Sequence, residues 1–132
     1  MAALMRDRHT PEREGKLLAL PMAAATTIYA GSLVVINAAG YAAPGSTATT
    51  LRAAGRAEEH CVNAGSNGDV VINVRRGVFK FANATVDPVA ALLSTCYIVD
   101  DQTVAATNGT NTRSAAGKVL AIDTDGVWVE VL

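Results

Sequence analysis

Residues 69–83, DVVINVRRGVFKFAN, are the longest stretch of this chain with the pattern of a β-strand. Apolar residues occupy its even positions over Val70–Val74, the period of two of a strand that buries one face. Beyond Gly77 the large apolar residues are Phe79 and Phe81, so the buried face has changed parity. Such a slip requires a bulge or bend, for which Gly77 is suited. The stretch therefore predicts a bent strand that curls into a barrel or crosses between two sheets.

The composition predicts one small β domain. The chain has 132 residues, of which 50% are hydrophobic and only 5% aromatic. This length is typical of a single domain. The abundance of Val, Thr, Ala, Gly and Asn favours short strands joined by turns. We expect a mainly β fold, a small β-barrel or β-sandwich with an extended N-terminal arm and at most one short helix.

The charge balance and the apolar pattern disfavour several classes of partner. The net charge is −1, which gives no basic excess for binding nucleic acid. No apolar run reaches the ~20 residues of a membrane span. Charged residues from Arg6 to Glu14 leave no apolar core for a secretory signal. We therefore expect no nucleic acid and no membrane partner, and we expect Cys61 and Cys96 to be free thiols.

Residues 1–16, MAALMRDRHTPEREGK, carry seven charged side chains and no strand pattern. Such a segment cannot bury itself, so it predicts an exposed arm. Two interpretations stay open, a disordered tail and an arm that becomes ordered against another subunit. From Leu17 the chain is largely apolar, and residues 17–132 are predicted to form one β domain.

Two hairpins have clear turn signals. Leu33–Ile36 predicts a buried strand, with a turn over Asn37–Gly40 before the return strand. Val119–Ile122 and Val127–Val131 predict a second hairpin, which puts Val127, Val129 and Val131 on one face. In its turn, Asp123–Gly126, the Asp-Gly pair is expected to supply the positive φ that such turns need.

Helix signals are few. Met22–Ala25 has the length of one helical turn, but the β-branched residues that follow are poor continuations. Asp87–Leu93 predicts a short helix, with Asp87 as N-cap and Pro88 in the first helical position.

A weak internal repeat relates two parts of the chain. Residues 31–56 align without gaps with residues 93–118, so that each position corresponds to the one 62 residues later. Ala54–Arg56 falls on Ala116–Lys118, and in each copy a strand-like run is expected to follow. The two units would be residues 31–74 and 93–131. Either they are a duplication or two β segments of low complexity match by coincidence. If they are a duplication, each is too small to bury its own face and must pack on the other.

Candidate chemical groups are sparse. His60 and Cys61 are adjacent, and neighbouring residues of a strand point to opposite faces, so they do not predict a nucleophile–base pair. Asp100–Asp101 and the pair Asp123 and Asp125 lie at turn signals, where Asp is favoured by the backbone. No motif indicates a metal, a cofactor or a catalytic site. The sequence therefore predicts a structural or binding protein rather than an enzyme.

Four segments carry a resemblance to a known family: residues 31–35 (GSLVV), 54–57 (AGRA), 68–79 (GDVVINVRRGVF) and 126–132 (GVWVEVL). Over residues 17–132 the chain resembles the capsid decoration, or cement, proteins of tailed bacteriophages. The resemblance implies a compact β-barrel or β-sandwich that binds the outer face of the capsid over junctions between major capsid proteins. It also implies a homo-oligomer, with a trimer favoured and a dimer as the alternative. The expected location is the virion, after synthesis in the cytoplasm of a bacterial host.

The arm and the basic pair of the central strand are the candidate contacts with the capsid or with sister subunits. The candidate residues are Arg6, Arg8, Pro11, Arg13, Leu17, Leu18, Arg75 and Arg76. The loops 44–52 and 106–114 are further candidates. The alternative function is a small β-sandwich module that binds carbohydrate or peptide. The scattered positions of Trp128, Tyr29, Tyr41 and Tyr97 disfavour it, because such modules usually group their aromatic residues.

Overall fold

A computed structural model describes residues 2–86 and 91–132, and all of the regular structure in these residues is β. The strands are β1 (Leu17–Pro21), β2 (Thr26–Ile28), β3 (Leu33–Ile36), β4 (Ala42–Pro44), β5 (Arg52–Ala57), β6 (Cys61–Asn63), β7 (Val71–Arg75), β8 (Gly77–Asn83), β9 (Thr95–Ile98), β10 (Thr103–Ala105), β11 (Ala115–Asp123) and β12 (Gly126–Val131). The predicted mainly β class is confirmed. Within the described residues no helix is long and apolar enough to cross a membrane. Of the expected short helix Asp87–Leu93, residues 87–90 lie outside the described residues, while Ala91–Leu93 form a turn rather than a helix, with Leu93 at φ +64°.

The strands form a five-stranded sheet, a closed five-stranded barrel and a two-stranded ribbon. The sheet has the order β1-β7-β5-β3-β4, and the barrel has the order β10-β8-β12-β11-β9. The ribbon pairs β2 with β6. Every pair in the first sheet is antiparallel, whereas the barrel closes through a parallel contact between β10 and β8.

The chain crosses from the sheet to the barrel at Gly77, as the change of parity predicts. β7 ends at Arg75 in the sheet, and β8 begins at Gly77 in the barrel. Ile72 and Val74 are fully buried on one side of the crossing and Phe81 is buried on the other. Gly77 has φ +156°, a value that L residues with a side chain rarely adopt. The kink and the switch of buried face are therefore confirmed.

The five-stranded sheet and the barrel have the same order of corresponding strands. We call residues 17–75 the first half and residues 77–131 the second half. The order β4-β3-β5-β7-β1 in the first half corresponds strand by strand to β10-β9-β11-β12-β8 in the second. The parallel closure corresponds too, because an isolated bridge joins Met22 to Ala42 where the barrel joins Asn83 to Val104.

The register agrees at the level of single residues. Val34 pairs with Gly55, and Cys96, 62 positions later, pairs with Gly117. In both pairings the next partner is displaced by one residue, so each half has a bulge at the same place. Descent of the two halves from one duplicated unit stays a prediction, but their strand order and register coincide.

The two Ala-Gly-basic triplets lie inside strands, contrary to the expectation that strands follow them. Gly55 lies in β5 and Gly117 in β11. A Cβ on Gly55 would collide with the carbonyl oxygen of Arg75, and one on Gly117 with that of Glu130. These glycines therefore allow the neighbouring strands to approach, which short-range sequence patterns do not reveal.

Strand β3 is buried on both faces and joins two hydrophobic clusters. Val34 points into the cluster of the first half, to which Ile28 of β2 and Val74 of β7 also belong. Leu33 and Val35 point the other way, into the cluster that fills the second half. The side chains of Leu33, Val34 and Val35 are all fully buried. The core of the second half is therefore completed by residues of the first.

Both predicted hairpins are confirmed, with one change of explanation. β3 and β4 pair across the turn at Asn37–Gly40, and β11 and β12 pair across the turn after Asp123. Gly126, however, does not have a positive φ. A Cβ there would lie 2.7 Å from Cγ of Lys80, so glycine is needed for the approach of β8 rather than for the turn. Met22–Ala25, which has the length of one helical turn, is not helical, since Met22 forms the bridge to Ala42 and a turn follows.

Candidate interaction surfaces

The arm is exposed over its whole described length, residues 2–16. Its hydrogen bonds within the arm are local, from Nη1 of Arg8 to Oγ1 of Thr10 (2.7 Å) and from the amide of Lys16 to Glu14 (3.1 Å). Leu4 and Met5 are 71% and 97% exposed. The candidate contact residues of the arm, Arg6, Arg8, Pro11 and Arg13, are all exposed. The arm thus offers both cations and apolar side chains to a neighbour.

The other candidate residues meet at the base of the arm. Leu17 pairs with Arg75 and Leu18 with Val74, while the amide of Arg76 donates to the carbonyl of Lys16 (2.7 Å). Leu17 is 46% exposed, whereas Leu18 is half-buried. The structure therefore brings these four candidates, Leu17, Leu18, Arg75 and Arg76, together at the crossing between the halves. Their contact with a partner stays a prediction.

Arg75 belongs to a chain of ion pairs between β5 and β7, which a cation–π contact extends to β8. Glu58 accepts from Nη2 of Arg56 (2.7 Å) and lies 3.4 Å from Nε of Arg75. The guanidinium of Arg56 also lies over the ring of Phe79, 4.5 Å from its centroid. The hydrogen bond from Arg56, helped by Arg75, lowers the pKa of Glu58 below its ordinary value. One of the two strand arginines is thus engaged within the chain.

The loop over residues 44–52 is anchored to the second half. Oγ1 of Thr47 donates to the carbonyl of Val99 (2.7 Å), and Oγ of Ser114 donates to the carbonyl of Ala48 (2.7 Å). Ser114 also accepts from the amide of Leu51 (3.1 Å). Much of this candidate contact loop is therefore held by hydrogen bonds to the second half, although Thr49 and Thr50 stay exposed.

The loop over residues 106–114 is built around a left-handed turn. Gly109, Thr110 and Asn111 have φ of 63°, 61° and 64° in succession. The carbonyl of Asn108 accepts the amides of Thr112 and of the following Arg113, both at 2.9 Å. Non-glycine residues reach this conformation only at a cost, so the loop is held by its surroundings. Its tip is exposed and is available to a partner.

Trp128, on the outer face of the barrel, lies among three charged side chains, those of Lys80, Asp123 and Asp125. Its Nε1 donates to Asp123 (2.8 Å), and Nζ of Lys80 lies 5.6 Å from its ring centroid. Lys80 also binds Asp125 (3.0 Å), which lowers the pKa of that carboxyl below its ordinary value. These contacts tie β8 to the hairpin, and they explain the two aspartates as structural groups.

Corresponding turns of the two halves carry different side chains. In the first half the turn is Tyr29-Ala30-Gly31-Ser32, and in the second it is Ala91-Leu92-Leu93-Ser94. Leu92 and Leu93 are 50% and 68% exposed. Leu120 follows Val119, whose carbonyl accepts the amide of Leu93, and is 36% exposed. Leu93 also has φ +64°, in the position of Gly31. The second half thus presents a cluster of exposed leucines where the first half presents a tyrosine.

The turn of the first half borders a shallow depression that the sequence patterns did not predict. Its lining comprises Tyr29, Ala30, Gly31, Ser32, Asp101 and Gln102. The ring of Tyr29 stacks on His60, with 5.2 Å between centroids and an interplanar angle of 3°. No motif links these three segments, since the fold alone brings them together. The only available signal was the repeat, whose extension aligns Tyr29 with Ala91.

The thiols are free and lie in different clusters. Cys61 is half-buried, and burial raises the pKa of its thiol, with a further contribution from Glu59. Cys96 is fully buried, which raises its pKa to about 11. His60 is engaged with Tyr29 rather than with Cys61. In the described part of the chain no three potential metal ligands lie together.

No protein-family model, curated protein or solved structure matches this chain. The resemblance of residues 17–132 to decoration proteins therefore stays a prediction, together with the partners, the oligomeric state and the location that it implies.

Proposed function

We propose that this chain is a capsid decoration protein of a tailed bacteriophage. It binds the outer surface of the expanded head and stabilises contacts between neighbouring major capsid protein subunits. It acts as a homo-oligomer, with a trimer favoured over a dimer, and it is made in the cytoplasm of the bacterial host. It needs neither a catalytic site nor a cofactor for this role.

The observation that carries the proposal is the contrast between the arm and the body. Residues 2–16 are exposed and make local hydrogen bonds among themselves, while the body behind them is paired strand by strand. An arm of this kind can extend over a neighbouring subunit and become ordered there. Leu4 and Met5 then gain burial that they lack in the isolated chain.

The body has the properties expected of a protein that binds across subunits of a capsid under internal pressure. The second half is a closed barrel, which leaves few strand edges open to unwanted pairing. The leucine cluster at Leu92, Leu93 and Leu120 offers a second apolar contact at a distance in sequence from the arm. A net charge of −1 suits the outside of the head, away from packaged DNA. Many weakly bound copies together resist expansion through their effective concentration.

Co-sedimentation with expanded heads of the cognate phage that lack the protein tests this function. We expect saturable binding at a fixed ratio to the major capsid protein and a higher temperature of head disruption. The ratio distinguishes trimer sites from dimer sites. Absence of binding at every salt concentration and in every state of the head would reject the proposal.

Arm variants test which part makes the contact. Deletion of residues 2–15 is expected to weaken binding while the unfolding transition of the body is unchanged. The double variant Arg6→Ser, Arg8→Ser is expected to weaken it less. Its matched control is Arg52→Ser, Lys118→Ser, which removes two exposed cations of the body. An equal loss in both double variants would point to general charge attraction and against a specific role of the arm.

A further inference from the structure

The aromatic ring at Tyr29 is not required by the turn that carries it. In the first half the amide of Ser32 donates to the carbonyl of Tyr29 (3.1 Å), and in the second half Ser94 donates to Ala91 (3.0 Å). Gly31 and Leu93 also donate to equivalent carbonyls, at 2.9 and 2.8 Å. The same turn is therefore built with alanine in place of tyrosine. Its second copy serves as an internal control for the first.

The Tyr29 ring is held in an exposed position. The residue is 62% exposed, although burial of its ring would be favourable. Stacking on His60 uses one face of the ring at an interplanar angle of 3°. His60 does not line the depression, so it supports the ring from outside. An aromatic side chain that is fixed in advance loses little conformational entropy when a ligand packs on it.

The opposite wall of the depression is equally fixed. The carbonyl of Asp101 accepts the amide of Leu33 (2.8 Å), which ties this wall to strand β3. Oδ1 of Asp100 accepts the amide of Gln102 (2.9 Å), and the carbonyl of Gln102 accepts the amide of Ala82 (2.7 Å). The backbone of both residues is thus anchored, and the side chains of Asp101 and Gln102 border the depression.

Ser32 supplies a hydroxyl to the lining. The residue as a whole is only 6% exposed, so the packing around it fixes its position at the edge of the depression. A hydroxyl can both donate and accept, so Ser32 can bind either kind of polar group on a ligand.

We propose that this depression binds a neutral pyranose residue of a glycan. The Tyr29 ring offers an apolar face for the C–H groups of the sugar, while Asp101 accepts from its hydroxyl groups. Gln102 and Ser32 can each donate to and accept from further hydroxyl groups of the sugar. The carboxylate of Asp101 disfavours acidic sugars through like-charge repulsion. The site goes beyond capsid binding and would give the virion a weak attachment to glycan surfaces.

NMR titration of the full chain with methyl glycosides of glucose, galactose and N-acetylglucosamine, and with methyl glucuronide as the acidic probe, tests the proposal. We expect saturable shifts of the Gly31, Ser32 and Gln102 amides with at least one neutral glycoside. Tyr29→Ala is expected to weaken that binding at least tenfold, and Asp101→Asn severalfold. Val62→Ala, which removes an exposed side chain of the neighbouring ribbon, is the matched control and should leave the affinity unchanged.

Three outcomes would overturn the proposal. They are the absence of shifts with every neutral glycoside, unchanged affinity in Tyr29→Ala, and tighter binding of the glucuronide than of the neutral sugars. Binding of short peptides at these amides without any sugar binding would overturn it in favour of a peptide site. Capsid co-sedimentation of Tyr29→Ala should be normal, so failure of this site and failure of the capsid role are separable.

Discussion

The first and second halves share a strand order but differ in what covers their cores. The ribbon of β2 and β6 covers the first half, where Ile28 and Cys61 belong to its hydrophobic cluster. The core of the second half instead takes in Leu33 and Val35 from β3, whereas at the corresponding positions of β9 Thr95 is exposed and Tyr97 is half-buried. The difference teaches that the halves are interdependent, because the core of the second is completed by side chains of the first.

The largest expected effect on stability comes from Leu33, a side chain of the first half that packs in the core of the second half. Leu33→Ala should lower the free energy of unfolding by about 2–5 kcal/mol, because it removes a fully buried side chain from the second half's core. Thr95→Ala, at the corresponding exposed position, should change it by no more than about 0.5 kcal/mol. Urea unfolding followed by Trp128 fluorescence measures both. Similar effects in the two variants would break the asymmetry that we describe.

A smaller effect is expected from exchanging residues between the corresponding turns. Leu93→Gly should raise the free energy of unfolding by up to about 1 kcal/mol, because leucine is costly at φ +64°. Gly31→Leu should lower it by about 1–2 kcal/mol, although open space surrounds Gly31. Thermal unfolding of the two variants provides the measurement. Marked destabilisation by Leu93→Gly would mean that the Leu93 side chain supports the fold rather than a partner.

The smallest effect concerns the exposed carboxylate that each half pairs with a cation. Lys80 lowers the pKa of Asp125 below its ordinary value, and Arg56 does the same to the pKa of Glu58. A carboxyl with a lowered pKa stabilises the fold above its ordinary pKa, and this contribution disappears as the pH falls through the lowered value. Asp125→Asn and Glu58→Gln should therefore each reduce the loss of stability on acidification. The relevant range runs from roughly pH 5 to roughly pH 2, in which carboxyl groups with a lowered pKa take up their proton.

Urea midpoints at pH 7 and at acidic pH measure this effect. Both carboxylates are at the surface, so added salt should diminish the difference between each variant and the parent chain. An unchanged acid response in both variants would show that neither ion pair contributes to stability.

Patterns of short range predicted much of the fold. The kink at Gly77 followed from the parity of Ile72 and Phe81, and both hairpins followed from alternating strands with turn residues between them. Strands β1 and β2 carry no such pattern, since β1 contains Pro21 and β2 has three residues. Their pairing depends on partners distant in sequence, which local propensity does not encode.

The candidate surfaces were predictable only in part. Charge density identified the arm, and its exposure agrees with that expectation. The depression beside Tyr29 requires residues 29–32 and 101–102 to meet, and only the folded chain brings them together. The hydrogen bond that anchors Thr47 to Val99 could not be predicted from the sequence either. Small polar loops are usually interpreted as solvent-exposed segments without contacts to other strands.

Hydrogen exchange of the free chain and of the chain bound to expanded heads tests our central claim most directly. In the free chain, amides of residues 2–15 should exchange rapidly, while those of β3, β7 and β12 should be protected to a similar degree because the halves share a core. On the heads, exchange of the arm should slow severalfold. Arm amides that exchange equally fast at full occupancy would contradict the claim that the arm becomes ordered on the capsid.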